Sequence, residues 1–314
     1  MKLKLIPILL CAALLLCVPV QAGVLGEALD GYSVLLAEGA VLTETGFWDG
    51  SAMQTEHYLT LAPGSAAVPV AVSSDPLWQK QAMEEAAEAL RGRGLRVLGG
   101  SNGGFYTVAT GEPVGLVVSG GVLRADDAWL EAVGFRADGS VIFGKPETRL
   151  TLRGEGISVA LEALNRAAGS GMRLWTADCT AAVKPAGKSL CVLCTAEDAL
   201  RLGGSTALTV ERIWETEERV TVPEDGVLLM QPLPEEETSL PAAELLSEGT
   251  ELTLECSCAP GWEDVDSALG ILYPLIEDGK LCTGLARDAA PRTAVGVKAD
   301  GTVILYTVDG RQSG

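Results

Sequence analysis

Histidine is almost absent from this sequence, and His57 is the only one in 314 residues. A zinc site that binds two or more imidazoles is therefore excluded. A Ser-His-Asp triad would have to use His57 as its base. His57 lies within the strand-like run 57–61, and no serine or cysteine motif accompanies it. We therefore interpret His57 as a strand residue whose polar atoms are satisfied by neighbouring groups.

Basic residues are also scarce. Lysine and arginine number 23 against 42 aspartates and glutamates, which gives a formal net charge of −19 and a pI near 4.4. A field of this sign repels phosphate backbones and anionic lipid surfaces. Nucleic acid is therefore excluded as a partner class.

A long apolar run occurs only at the N-terminus. Lys2 and Lys4 precede an apolar stretch over residues 5–20, and small residues lead to a cleavage point before Gly23. This pattern is typical of a secretory signal peptide over residues 1–22, and its apolar core is short for a membrane span. We expect the protein to be secreted or held in the extracellular cell envelope, with no membrane span in the mature chain.

Six cysteines remain after removal of that segment. They are Cys179, Cys191, Cys194, Cys256, Cys258 and Cys282. In an exported chain they are compatible with free thiols or with a disulfide framework whose connectivity the sequence leaves open. The Cys191–Cys194 pair has the spacing of half a metal knuckle, but the spacing from Cys256 to Cys258 does not complete it. Calcium-binding Asp-x-Asp-x-Asp-Gly loops are absent too, so we expect no metal and no cofactor.

Strand patterns dominate the chain. Short apolar or alternating runs occur at 32–36, 57–61, 157–161, 172–176, 207–213, 219–222, 226–230 and 252–256. One helix is predicted from a cap at Ser74 or Asp75 to Gly92, followed by a buried strand over 95–98. The fold class is α+β, with β-rich mixed sheets and few helices. We expect a strand-rich extension over residues 23–73 and one further domain over 74–314.

A double-hairpin unit occurs twice. Residues 134–143 and 296–305 share a strand–turn–strand pattern with Asp-Gly at the turn. Another hairpin pattern precedes each of them, at 116–121 and at 275–279. Either hairpins simply reuse the same turn chemistry, or the two cassettes form related sheets that face each other across a ligand cleft.

Four sequence blocks resemble the phosphodiester glycosidase family, over about residues 97–314. The blocks are Asn102-Gly103-Gly104-Phe105-Tyr106; Thr110-Gly111-Glu112-Pro113-Val114-Gly115; Asn165-Arg166 with Leu174-Trp175-Thr176; and Pro291-Arg292-Thr293-Ala294-Val295-Gly296 with Val308-Asp309-Gly310-Arg311-Gln312. Each block is short, and the resemblance rests on their order and spacing.

The resemblance implies hydrolysis of a sugar-1-phosphodiester, with a glycan or sugar phosphate as substrate. It implies that Arg292 and Arg311 hold the phosphate and that Asp309 supplies a carboxylate. Substrate-binding roles are implied for Asn102, Gly103, Gly104, Thr293 and Gly310. Two structural alternatives stay open: an Arg292–Asp309 ion pair and an Asn102 that only holds a left-handed turn.

The sequence also departs from the family pattern. Gly270 stands where the family has a pair of glycines, which does not favour close backbone approach there. Family members continue beyond the Asp-Gly-Arg block, so we expect either a domain incomplete at its C-terminus or a chain without catalysis. The alternative function is a non-catalytic cell-envelope protein that binds exopolysaccharide. The sequence leaves the sugar, the acceptor and the oligomeric state open.

Overall fold

The computed structural model describes residues 26–233, 246–285 and 290–310. The predicted signal peptide and the predicted site residue Arg311 lie outside these ranges. The helix is α1 (Met83–Gly92). The strands are β1 (Glu27–Ala37), β2 (Ala40–Trp48), β3 (Met53–Leu61), β4 (Val117–Ser119), β5 (Val122–Ala125), β6 (Ala132–Phe135), β7 (Val141–Gly144), β8 (Arg149–Gly154), β9 (Ile157–Leu161), β10 (Ala163–Leu164), β11 (Arg173–Thr176), β12 (Ser189–Ala196), β13 (Ser205–Thr216), β14 (Gly226–Pro232), β15 (Glu251–Ser257), β16 (Ser267–Gly270), β17 (Ile276–Glu277), β18 (Lys280–Leu281), β19 (Arg292–Val297) and β20 (Val303–Val308).

Within the described ranges, the strands form three large sheets and one small hairpin. The first sheet has the order β1-β2-β3-β20-β19, and the largest has the order β10-β11-β14-β12-β13-β15-β8-β9. A third sheet, β5-β4-β16-β6-β7, and the β17–β18 hairpin complete the set. The β10–β11 pair is parallel in an otherwise antiparallel sheet. The prediction of β-rich mixed sheets with few helices is thereby confirmed, and the described chain is mostly β.

Strand alternation builds the main core. On β15 the side chains of Leu252, Leu254 and Cys256 are buried while their neighbours are more exposed, as the period of two in the sequence predicts. These side chains join a cluster that also contains Val118 and Leu123 of the third sheet. The largest sheet and the third sheet therefore share one apolar core.

The two double-hairpin cassettes are present, and their main turns are built alike. Gly139 donates to the carbonyl of Arg136 at 2.9 Å, and Gly301 donates to the carbonyl of Lys298 at the same distance. Both glycines have positive φ, 84° and 87°, which explains why glycine occupies this position twice. The β6–β7 and β19–β20 hairpins belong to different sheets.

Apolar side chains join these two sheets. Val141 of β7 and Val295 of β19 both pack against the cluster that contains Val133 and Phe135. The same two valines also pack against the core of the first sheet. The β6–β7 and β19–β20 hairpins therefore pack against each other through apolar side chains. The ligand cleft between the cassettes stays a prediction.

The helix is shorter than predicted. It begins at Met83 rather than near Pro76, and Glu85 caps it by accepting a bond from the backbone of Ala82 at 2.9 Å. The residues before it extend along another segment, because Leu77 and Trp78 donate to the carbonyls of Asp178 and Cys179. Tertiary backbone pairing thus overrides the helical pattern.

Two predicted strands are wrong. Residues 95–98 are irregular, since the N–H of Leu95 closes the end of α1 by donating to Leu90 at 3.1 Å. Residues 219–222 form only a bridge, in which Val220 exchanges two 2.8 Å hydrogen bonds with Val183. No helix within the described ranges is long and apolar enough to cross a membrane.

The six cysteines are free thiols. Cys191 and Cys194 lie in different core clusters on opposite faces of the largest sheet, so they cannot bind one metal ion together. Burial raises the pKa of Cys191 to about 11 and that of Cys194 to about 12. These two thiols are neutral packing groups.

Candidate functional site

The loop that contains Asn102 lies directly on β16. A Cβ atom added to Gly103 would come within 2.8 Å of the Leu269 side chain. One added to Gly104 would lie 3.1 Å from the carbonyl oxygen of Gly270. Both glycines therefore allow the loop to approach the strand closely, and this contact fixes where Asn102 stands.

Gly270 makes a close backbone contact. The expectation that one glycine in place of the family's pair does not favour close approach was therefore wrong. A Cβ atom on Gly270 would lie 2.9 Å from both the Cα of Gly115 and the carbonyl oxygen of Val114. Gly115 itself has a φ of 105°, which side-chain-bearing residues rarely adopt. The Thr110–Gly115 block therefore packs against β16 beside the Asn102 loop.

Two predicted substrate-binding residues meet at the end of the first sheet. The hydroxyl of Thr293, on β19, donates to Oδ1 of Asn102 at 2.6 Å. Asn102 is not among the described residues with positive φ, so it does not hold a left-handed turn. This bond uses the side-chain oxygen of Asn102 as acceptor, and the amide NH₂ at the other end of the side chain is the group that can donate to a ligand.

Asp309 and Gly310 directly follow β20. The N–H of Asp309 donates to the carbonyl of Thr55 at 2.9 Å, which continues the β3–β20 register by one residue. Gly310 lies against the backbone of Ala290 and Pro291, where a Cβ atom would come within 2.3 Å of a carbonyl carbon. Asp309 therefore occupies a defined position, directly after the strand that pairs with β19.

Arg292 and Thr293 belong to opposite faces of β19. Thr293 pairs with Thr307, whereas Arg292 pairs with Val308 at the strand end. On the face of Arg292, burial and the carboxylate of Glu56 raise the pKa of Tyr306. The structure thus brings Asn102 and Thr293 together but does not bring Arg292 to the same face.

A buried ion pair fixes the Thr110–Gly115 block, which lies beside the Asn102 loop. Nε of Arg166 lies 2.9 Å from Oδ1 of Asp126, and both side chains are only about a tenth exposed. The same guanidinium donates to the carbonyls of Pro113 and Gly115, each at 2.8 Å. The second oxygen of Asp126 accepts a 2.6 Å bond from the N–H of Leu164. Arg166 therefore positions the Thr110–Gly115 block.

A second network holds the neighbouring segment. Arg124 pairs with Asp178 at 2.6 Å, and Asn165 donates to the carbonyl of Arg124 and to the hydroxyl of Thr176, each at 2.7 Å. Sequence reasoning singled out Asn165 and Arg166 but missed Asp126 and Arg124. The consecutive acids Asp126 and Asp127, which follow a strand-like run, were the available signal.

A family comparison supports the resemblance noted in the sequence. The model of the phosphodiester glycosidase family matches residues 203–314, which include Gly270, Thr293 and Asp309. The resemblance to this family is confirmed over that part of the chain, and it supports a glycosidase-type hydrolase. None of the curated proteins matches the sequence.

Two solved structures share the fold. A hypothetical protein from Synechocystis superposes with a TM-score of 0.69 at 17% identity over 92% of this chain. A protein from Burkholderia pseudomallei K96243 that is described as exported superposes with a TM-score of 0.58 at 18% identity over 85% of this chain. The chain spans 54% of the length of the first and 63% of the second. At these identities the likeness concerns the fold alone.

Proposed function

We propose that this protein is a secreted hydrolase that cleaves a sugar-1-phosphodiester, releasing the sugar and leaving a phosphomonoester on the acceptor. The hydrogen bond from Thr293 to Asn102 carries the proposal, because it joins two motif blocks that are 191 residues apart. The family match over residues 203–314 supports the reaction class. Export rests on the signal-peptide pattern of residues 1–22.

Each residue assigned to the site has its own role in this reaction. Asn102 offers its amide NH₂ to an oxygen of the phosphate or the sugar, held in orientation by Thr293. Asp309 supplies the carboxylate for proton transfer or for stabilising an oxocarbenium-like transition state. Arg311 supplies a guanidinium group for the phosphate. Arg292, on the opposite face of β19 from Thr293, is left out of this assignment. Glycine at 103, 104 and 310 allows the chain to pack closely against β16 and against the backbone of Ala290 and Pro291, which positions Asn102 and Asp309.

Arginine variants test this function. With methyl diesters of sugar 1-phosphates as substrates and the released reducing sugar as the readout, Arg311→Ala should lower kcat/KM by about 100-fold or more. Arg311→Lys should also fail, because an ammonium group cannot bind a phosphate in a bidentate manner. The control is Arg93→Ala, an exposed arginine just after α1. Full activity of a folded Arg311→Ala variant contradicts the proposal.

A second candidate is a non-catalytic protein that binds exopolysaccharide. The exposed aromatic rings of Phe105 and Tyr106, which directly follow the Asn102 loop, favour it, because such rings offer a large apolar contact area to a polymer. This candidate predicts polymer binding that Arg311→Ala leaves unchanged, and no turnover. Loss of polymer binding in Phe105→Ala, without loss of folding, would distinguish it from the hydrolase.

A further inference from the structure

A row of polar side chains crosses the first sheet and ends at the candidate site. Cross-strand register places five residues opposite one another in the order Tyr32, Glu44, His57, Thr307 and Thr293. Directly paired residues point to the same face of a sheet, so these five side chains share one face. At the end of the row, Thr293 contacts Asn102.

The row is linked by its own contacts. The hydroxyl of Tyr32 donates to Oε2 of Glu44 at 3.0 Å, and the same oxygen lies 3.6 Å from Nε2 of His57. The side chains of His57 and Glu44 are each 38% exposed, so both are accessible from solvent. Glu44 therefore lies next to the imidazole, and part of the ring stays open to solvent.

The next row on the same face is apolar. It contains Leu42, Leu59, Leu305 and Val295, which pair in this order across the strands. These residues belong to or pack against the apolar core of the sheet. The polar row thus runs along the edge of a packed core.

A pocket opens above the polar row. It has a volume of about 170 Å³ and lies between the sheet and the loop 99–101. Its polar lining comes from His57, Thr307 and Ser101, and its apolar lining includes Leu36, Leu42 and Leu98. Ser101 immediately precedes Asn102, so the pocket borders the candidate site.

The charges around the pocket disfavour an anion. Among the described residues, neither lysine nor arginine lines it, and the carboxylate of Glu44 lies 3.6 Å from Nε2 of His57. The nearby guanidinium of Arg96 donates to the carbonyl of Leu36 at 3.4 Å. An anionic group would therefore meet the field of Glu44, whereas a neutral hydroxylated ligand would not be repelled by it.

We propose that this His57 pocket binds the uncharged sugar ring of the substrate. His57 and Thr307 exchange hydrogen bonds with ring hydroxyls, and the leucines cover the apolar face of the ring. The volume is below the range of about 300–1,000 Å³ that is typical of pockets for drug-sized ligands, and it suits a single ring. The assignment rests on the proposed function in one respect, since it leaves the phosphate for the Asn102–Thr293 end.

The unique histidine provides the test. The Cε1–H group of His57 gives a single cross-peak in a ¹H–¹³C spectrum of protein without a histidine tag, because the sequence has one histidine. A shift of that signal therefore reports on this pocket alone. Titration with free hexoses and N-acetylhexosamines should move the signal in a saturable manner for at least one sugar. Thr307→Val, which keeps the shape and removes the hydroxyl, should weaken that binding about fivefold. Ser101→Ala is the second variant, with the same expected direction.

The control is Thr209→Val, at an exposed threonine on the largest sheet, which should leave the sugar affinity unchanged. A His57 signal that no sugar moves would overturn the assignment. So would a signal that saturates with inorganic phosphate while sugars have no effect. Sugar binding without any hydrolysis would support the assignment of the pocket and contradict the proposed hydrolase activity. Hydrolysis with a His57 signal that no sugar moves would support the proposed activity and overturn the pocket assignment.

Discussion

The hydroxyl of Thr293 donates a 2.6 Å hydrogen bond to the side-chain oxygen of Asn102, across 191 residues of sequence. The bond connects the end of β19 with the glycine loop that lies on β16. Because Thr293 belongs to the first sheet and the Asn102 loop packs on β16 of the third, the bond also reports whether these two sheets are correctly docked.

Breaking this bond should affect stability and the site together. Thr293→Val and Asn102→Ala are each expected to cost about 1 kcal/mol, and a double-mutant cycle should show coupling of about 0.5–1.5 kcal/mol. Urea unfolding of the two single variants and the double variant measures this. Thr293→Ser keeps the hydroxyl and should behave as the wild type. Additive effects would show that the two side chains do not interact in solution.

Gly270→Ala should destabilise the fold. The added methyl group would lie 2.9 Å from backbone atoms of Val114 and Gly115, which cannot move away as a flexible side chain would. We expect a loss of about 1–3 kcal/mol in the free energy of unfolding. Gly296→Ala is the matched control, because a Cβ atom there has no atom within 4 Å, and it should change stability by less than about 0.5 kcal/mol. Equal effects of the two substitutions would contradict the close approach.

The buried Asp126–Arg166 pair should matter far more than an exposed pair. Asp126→Asn leaves the guanidinium of Arg166 without its carboxylate, and we expect a loss of about 3–5 kcal/mol. The control is Glu255→Gln, which breaks the pair with Arg153, where the side chains are 41% and 53% exposed, and it should cost less than about 1 kcal/mol. Chemical denaturation of both variants checks the ranking, and a reversed order would show that Arg166 is not held as described.

Thiol labelling checks the state of the cysteines. Burial raises the pKa of Cys256 to about 11, and Cys191 and Cys194 are shifted in the same direction, so these thiols stay neutral and shielded at pH 8. Under native conditions an alkylating reagent should label Cys282 and Cys258, which are partly exposed, well before the buried thiols. Mass spectrometry after timed quenching gives the order, and denatured protein provides the full count.

The raised thiol pKa values also predict that the free energy of unfolding falls at high pH. Unfolded thiols ionise near the ordinary value of 9.0, whereas the buried ones stay protonated up to about 11. Between these values the native state binds more protons than the unfolded state, so the free energy of unfolding falls as the pH rises. Cys191→Ala should flatten this fall between pH 9 and 11, and an unchanged slope would contradict the burial of Cys191.

Much of the fold could be predicted because its signals are local. Alternation along β15 and the two Asp-Gly turns depend on neighbouring residues only, and both are found where the sequence places them. The start of the helix was wrong because Leu77 and Trp78 pair with carbonyls about a hundred positions further along the chain. A local sequence pattern carries no information about hydrogen-bond partners that are so far along the chain.

The sequence by itself determined the strand-rich class, the paired hairpins and the order of the motif blocks. Only the tertiary structure decided that Asn102 meets Thr293, that Arg292 belongs to the other face, and that Asp126 holds Arg166. The physical reason is register: a shift of one residue between β19 and β20 would exchange the two faces of the hairpin, and that register is set by the packing of whole sheets.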